Sequence, residues 1–243
     1  MITAMVLTDN SADYLGYCLD SIFDIVDEII VVDNHSVDGT KEIFKKYNAN
    51  KLRVFQQEPS WNYSDLRNFA IEKATNDYIL WLDSDEILAN QNGEPLTRTE
   101  LEHIVKMGAT SYDIFTIHFM YNYFTIDGRN NGQHFSRDRI FNKKKIKGFS
   151  NVMHENIIFK DKAFKRIIEN PIIFHFGHCR GIVNLMNKYK FSWNLAKKND
   201  FPFANELRMA KTPEQYCANH PIIKGTIPLI RYNGHLPKVM GLW

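Results

Sequence analysis

The residues with the most chemistry in this chain are Asp83-Ser84-Asp85, which follow the apolar run Tyr78-Ile79-Leu80-Trp81-Leu82. That run reads as a buried strand, so two carboxylates one residue apart stand at the mouth of a hydrophobic element. Ionised carboxylates are not satisfied by burial; they need a cation, hydrogen-bond donors or water. A divalent metal carrying a diphosphate supplies that charge, because hard cations take oxygen ligands and bridge phosphate oxygens. The pattern points to metal-assisted handling of a nucleoside diphosphate. The competing reading is local, with Asp85 and Glu86 opening a turn or capping a helix.

The elements around this motif give it a place. Met5–Thr8 reads as a first strand, with turn and cap chemistry in Asp9, Asn10 and Ser11. Tyr14, Leu15, Cys18, Leu19, Ile22 and Phe23 recur at helical spacing. Glu28–Asp33 is a second strand running into a polar turn, and Thr40 is placed to cap the helix that follows. Leu52–Phe55 is a third strand, and Leu66, Phe69, Ala70, Ile71 and Ala74 mark a helix before the strand that carries Asp83. Strands alternating with helices predict an α/β fold with a mostly parallel central sheet flanked by helices. Ligands on such sheets bind beyond the carboxyl ends of the strands. Three polar turns fall there: Thr8-Asp9-Asn10, Asp33-Asn34-His35-Ser36 and Asp83-Ser84-Asp85-Glu86.

The second half changes character. A helix is expected over 97–106, strand-like runs over 115–121, 139–141, 157–159 and 172–176, and a basic amphipathic helix over 185–198. Beyond Pro202 the prolines argue against long elements. The expected division is 1–95 as a nucleotide-binding half, 96–200 as an acceptor-binding half of the same domain, and 201–243 as a C-terminal extension.

With 30 basic and 28 acidic residues, the net charge of +2 is too small to argue for a nucleic-acid partner. Cys18, Cys179 and Cys217 lack metal-ligand spacing and predict reduced thiols in a cytoplasmic setting. No stretch reaches bilayer-spanning length, so a soluble protein is expected. The basic helix Asn187–Lys198 leaves room for peripheral contact with an anionic lipid surface or acceptor, although a solvated face is the default. An oligomer is compatible with the sequence.

The motifs in order resemble a known family. They are Tyr14-Leu15 with Cys18-Leu19; Asp27 to Thr40; Leu66-Arg67-Asn68-Phe69-Ala70-Ile71; and Ala74 to Glu86. Each is weak alone, and four in register are specific. The chain resembles family 2 glycosyltransferases of GT-A fold, a Rossmann-like nucleotide-diphospho-sugar transferase architecture. The second half is similar, more loosely, to the subgroup that includes lipopolysaccharide-core and bacteriocin-peptide transferases. That likeness lies in Arg137 to Phe141, Val152-Met153-His154-Glu155 and His175-Phe176-Gly177. Asn34-His35 depart from the usual residues after Asp33. The glutamine-rich motif of processive synthases is absent, which implies transfer of one sugar at a time.

The resemblance implies roles. Asp33 would accept from the nucleobase; otherwise it is an N-cap or Asx-turn residue. Thr8, Asp9, Asn10, Asn34 and Ser84 would line the nucleotide, with capping as the alternative for Asp9 and Asn10. Arg67, early on its helix, suits base or phosphate contact. Asp83 would touch ribose or metal-bound water, and Asp85 would ligate Mn²⁺ or Mg²⁺ directly. His175 is a further metal candidate, or a core histidine. Inverting transfer needs a general base; Glu155 is the first candidate and Asp138 the second. His154, Arg139, His178 and Arg180 are candidates for diphosphate or acceptor contact. Trp61, Tyr63, Tyr121, Tyr123 and Phe124 could stack on a sugar face or simply pack. The implied donor is a nucleotide-diphosphate sugar, most commonly a UDP-sugar, and the acceptor a glycan, lipid-linked or peptide hydroxyl. Two rivals are nucleotidyl transfer, disfavoured by an acidic, glycine-free Thr8–Asp13 loop, and a non-catalytic nucleotide-sugar binder.

Overall fold

The structure is a computed structural model that describes residues 1–60, 62–152, 155–179, 181–198 and 210–241. Four strands pair in parallel in the order β3 (Leu52–Gln56), β2 (Glu28–Asp33), β1 (Ile2–Thr8) and β4 (Tyr78–Asp83). All seven residues of β1 are buried, because it is paired on both edges and covered on both faces. The two faces follow the period of two. Ala4, Val6, Val31, Leu80 and Leu82 pack with Leu15, Cys18, Leu19 and Ile22 of α1 (Leu15–Ile22). Met5, Leu7, Ile30, Val32, Ile79 and Trp81 pack with Leu66, Ala70 and Ala74, the first two on α3 (Tyr63–Lys73).

Beyond β4 the pairing turns antiparallel. β8 (His134–Asn142) lies against β4, and the first part of β6 (Ser111–Met120) lies against β8. The sheet is therefore mixed. β5 (Glu86–Ala89) pairs with β11 (Lys165–His178), setting His175 opposite Glu86. This excludes the helix-capping alternative for Asp85 and Glu86, since a strand begins there. The hairpin β9 (Ile146–Ser150) with β10 (Asn156–Phe159) forms a separate two-stranded sheet.

Several local expectations change. α2 (Thr40–Phe44) is capped at Gly39; the Thr40 hydroxyl instead accepts the Ser11 N–H at 2.9 Å. α1 starts after Tyr14 without a side-chain cap. α4 (Arg98–Lys106) carries a full capping box between Thr97 and Glu100.

The chain separates into two compact units, 1–116 with 134–175 and 234–243, and 117–133 with 176–233. The boundaries expected at 95 and 200 do not coincide with this division. Residues 96–116 and 134–175 share a unit with the parallel strands, and 234–243 belong to that unit rather than to a separate extension. The second unit holds β7 (Thr125–Asp127) paired with β12 (Leu229–Arg231), the helices α5 (Ile182–Lys198), α6 (Pro213–Asn219) and α7 (Pro221–Lys224), and a core around Leu185, Tyr189, Tyr216 and Cys217. Among the described residues Cys18, Cys179 and Cys217 form no disulfide.

Candidate active site

Strand register builds the site. Thr8 pairs with Asp33, and Leu7 pairs with Asp83, so Asp33 and Asp83 end the two strands flanking β1 at nearly one level. Two inter-strand spacings separate them, about 10 Å. Between them, Asn34 donates its backbone N–H to the Thr8 carbonyl at 2.9 Å and its Nδ2 to Asp9 Oδ2 at 3.3 Å. Asn10 donates its N–H to Ser36 Oγ and accepts from the Val37 N–H. Asn34 is thus a tie between turns. Burial raises the Asp9 pKa against the pull of its bonds to Asn34 and Asn10, and the Asp33 and Asp38 charges add to the rise. Asp33 accepts the N–H of Ser36, three residues on, at Oδ1, and its other oxygen accepts none among the described residues. The buried Thr8 hydroxyl also has no partner among them.

Next to this edge lies a charge cluster. Arg67, 4% exposed, donates from Nε to Glu155 Oε1 at 2.7 Å and from Nη2 to Asp83 Oδ1 at 2.8 Å. Its Nη1 is buried without a partner among the described residues. Arg139 donates to Glu86 Oε1 at 2.6 Å and stands 3.7 Å from Asp83 Oδ2. Both guanidinium groups lie over the Trp81 ring, at 4.1 and 4.7 Å from its centroid, and the indole Nε1 donates to Asp83 Oδ1 at 3.2 Å. Glu86 Oε2 accepts the Asp83 N–H at 2.9 Å. Asp83 is therefore braced from four sides, yet its side chain keeps 35% exposure.

The charges do not balance within the cluster if all three carboxyl groups (Asp83, Glu86, Glu155) are ionised against the two guanidinium groups; protonation of one of them restores the balance. Burial opposes ionisation of Asp83, but Arg67 and Arg139 outweigh it and hold this carboxyl below the usual range. Glu86 is the deepest, and burial, with the Asp83 and Asp85 charges behind it, pushes its pKa up to about 8 despite Arg139.

Asp85 and His175 meet at 3.6 Å, because β11 delivers the histidine beside Glu86. Oxygen and imidazole nitrogen together suit Mn²⁺. Of the three expected metal residues these two stand together, whereas the Asp83 carboxylate is turned to arginine. Among the described residues no set of three or more His, Cys, Asp and Glu side chains is arranged to hold a metal ion. Asp85 with His175 would hold such an ion only as part of a ligand set, with phosphate oxygens and water supplying the rest.

α3 positions the second carboxylate. Asn62 caps it, and along its length Tyr63, Ser64 and Asn68 bond the backbone of Val152, Asn151 and Phe149. Glu155, beyond this strap and directly before β10, reaches Arg67. Ser84 joins Ser11 through their hydroxyls at 2.8 Å.

Asp138 requires a correction as a candidate base. One carboxylate oxygen accepts from Ser111 Oγ at 2.6 Å and the other from Lys165 Nζ at 2.8 Å. The side-chain alternation of β8 sends Arg139 to Asp83 and Asp138 away from it. Arg139 is nearly buried and spent on Glu86, so it is a brace rather than an open phosphate contact. His178 belongs to the second unit, where its Nδ1 lies 3.4 Å from Tyr189 Oη. Trp61, His154 and Arg180 lie outside the described residues. Sequence reasoning missed the bracing roles of Glu86 and Trp81. The signal for Glu86 was an acid opening the apolar run Ile87-Leu88-Ala89, which demands a buried cation.

Residues 3–182 match the family described as glycosyl transferase family 2. The chain belongs to that family. An uncharacterized glycosyltransferase of Rickettsia prowazekii is 28% identical over 202 residues, covering 78% of this chain and 64% of that protein. The chain thus spans under two thirds of that relative's length. The SPbeta prophage-derived glycosyltransferase SunS of Bacillus subtilis is 31% identical over 91 residues, 37% of this chain and 21% of SunS. Among solved structures, the mannosyltransferase PcManGT of Pyrobaculum calidifontis, in complex with GDP-Man and Mn²⁺, superposes with a TM-score of 0.51 at 16% identity. The match covers 92% of this chain and 73% of that one, and identifies the fold as GT-A.

Proposed function

We propose that this chain transfers a single sugar, with inversion, from a nucleotide-diphosphate sugar to an acceptor hydroxyl on a glycan, lipid-linked or peptide substrate. The observation that carries the reading is Arg67. It is buried, holds Asp83 and Glu155 together, and keeps one guanidinium nitrogen without a partner among the described residues. An unpaired buried N–H is costly, and a phosphate oxygen is its natural acceptor.

Asp33, through its second oxygen, accepts from the nucleobase, and the Thr8 hydroxyl bonds the nucleoside. Arg67 and Arg139 fix Asp83 toward the ribose. Asp85 and His175 would hold Mn²⁺ or Mg²⁺, which when bound supplies Lewis-acid charge to the departing diphosphate. PcManGT carries Mn²⁺ with its GDP-Man donor, which supports metal use; UDP-sugars are the donor class the family resemblance favours. Glu155 takes the acceptor proton, supported by its place in the cluster beside Asp83. Its bond to Arg67 Nε orients one oxygen and leaves the other for the hydroxyl.

A panel of UDP-, GDP- and dTDP-sugars, incubated with Mn²⁺ and followed by release of the nucleoside diphosphate, tests the reading. Release from one donor, lost in Asp85→Ala, is expected. No release from any donor, or release of pyrophosphate from a nucleoside triphosphate instead, would overturn it.

A further inference from the structure

The chain is nearly neutral overall, but its basic residues are not spread evenly. Between Lys143 and Ile167 there are eight Lys or Arg residues and two acids, Glu155 and Asp161. Glu155 is turned inward to Arg67. Lys144 pairs with Asp77 and Lys165 with Asp138. Lys145, Lys147, Lys160, Lys162 and Arg166 are exposed and make no ion pair among the described residues.

Lys145, Lys147 and Lys160 neighbour one another on the β9–β10 hairpin, and Lys165 over the Phe159 ring links that hairpin to the start of β11. Lys160 donates its backbone N–H to the Lys145 carbonyl at 2.9 Å, and Ile158 pairs with Gly148, next to Lys147. Lys165 Nζ sits 5.0 Å from the Phe159 ring, and Arg166 lies over the Phe164 ring at 5.4 Å. Apolar side chains stand out among them: Ile158 at 42% exposure, Phe164 at 55% and Ile167 at 62%. Phe164 is not loose, since its backbone N–H and carbonyl bond Thr110. The ring is presented to solvent by a fixed backbone.

We propose that the β9–β10 hairpin and the start of β11 form a surface that docks on an anionic lipid bilayer. The unpaired cations match acidic headgroups, and the exposed phenylalanine and isoleucines reach the acyl boundary, where their burial is favourable. A soluble phosphate polymer or an acidic peptide would use the cations and gain little from those apolar groups. The basic helix Asn187–Lys198 is no part of this proposal; its Lys190 pairs with Glu214. The proposal does not depend on the reading of the catalytic cluster.

Co-sedimentation of the full chain with phosphatidylglycerol–phosphatidylcholine vesicles and with pure phosphatidylcholine vesicles tests it. Binding is expected only to the anionic vesicles, weakening with salt. Each basic residue near the surface contributes roughly fivefold, so the K160E/K162E/R166E variant loses about 100-fold. F164S/I167S, with charge unchanged, loses at least about tenfold. Both variants keep the wild-type thermal melt, since the replaced side chains are exposed. Absence of binding, or equal binding to neutral vesicles, would overturn the proposal. So would wild-type affinity in F164S/I167S together with full displacement by inositol hexaphosphate, which would mark a polyanion site.

Discussion

Asp83 illustrates how a surface carboxylate is held in one orientation. Its two oxygens face Arg67, Arg139 and the Trp81 indole, and Glu86 grips its backbone N–H. Glu86 is central to this brace. Its folded pKa lies above the ordinary glutamate value, so between about 4.5 and about 8 the native state binds more protons than the unfolded chain. Folding stability from this group is therefore present below about pH 4.5 and is lost as pH rises toward 8. Urea melts across that range should show falling stability, and Glu86→Gln, neutral at every pH, should flatten the slope. Glu155→Gln keeps an acceptor for Arg67 but cannot take a proton. It should lower kcat by roughly 10²–10⁴-fold with donor affinity unchanged, read by steady-state kinetics beside a binding titration.

At the scale of elements, α3 and the strap before Glu155 act as one device. Asn68 both donates to and accepts from the Phe149 backbone, and Gly148 passes beside it at φ +145°. A Cβ at Gly148 would stand 2.8 Å from Asn68 Oδ1. Gly148→Ala should cost roughly 1–3 kcal/mol in a denaturant melt and reduce activity further by shifting the strap that carries Glu155. Strands β1, β2 and β4 and their polar ends were legible because strands buried on both faces read as continuous apolar runs. Strand β5 was not legible. Its four residues carry no alternation, and the pairing that defines it comes from β11, more than seventy residues later. The same long-range pairing hid the meeting of His175 with Asp85 and the role of Glu86 as a brace. Asp138 misled because sequence proximity to Arg139 hides the alternation that sends the two side chains to opposite faces.

For the whole molecule, the family match and the GT-A fold agree with the order of the first four motifs, while the division into two units was invisible to composition. Units set by contacts interleave in sequence, with residues 117–133 leaving and 134–175 returning to the unit of the parallel strands. A ligand that binds only the folded state stabilises it by mass action, about 2.7 kcal/mol at a hundredfold excess over Kd. A cognate nucleotide with Mn²⁺ should therefore raise the Tm, and Asp85→Ala should remove the metal-dependent part of that rise. Among the described residues no helix is long and apolar enough to cross a membrane. The most direct test of the central claim, that this strand edge is a nucleotide-diphosphate site, is titration calorimetry of UDP, GDP and dTDP into the full chain with and without Mn²⁺. The account predicts that one of them binds with a dissociation constant below a millimolar order, that binding weakens without Mn²⁺, and that Arg67→Ala abolishes it. No binding of any of the three in the presence of Mn²⁺, or undiminished binding by Arg67→Ala, would contradict it.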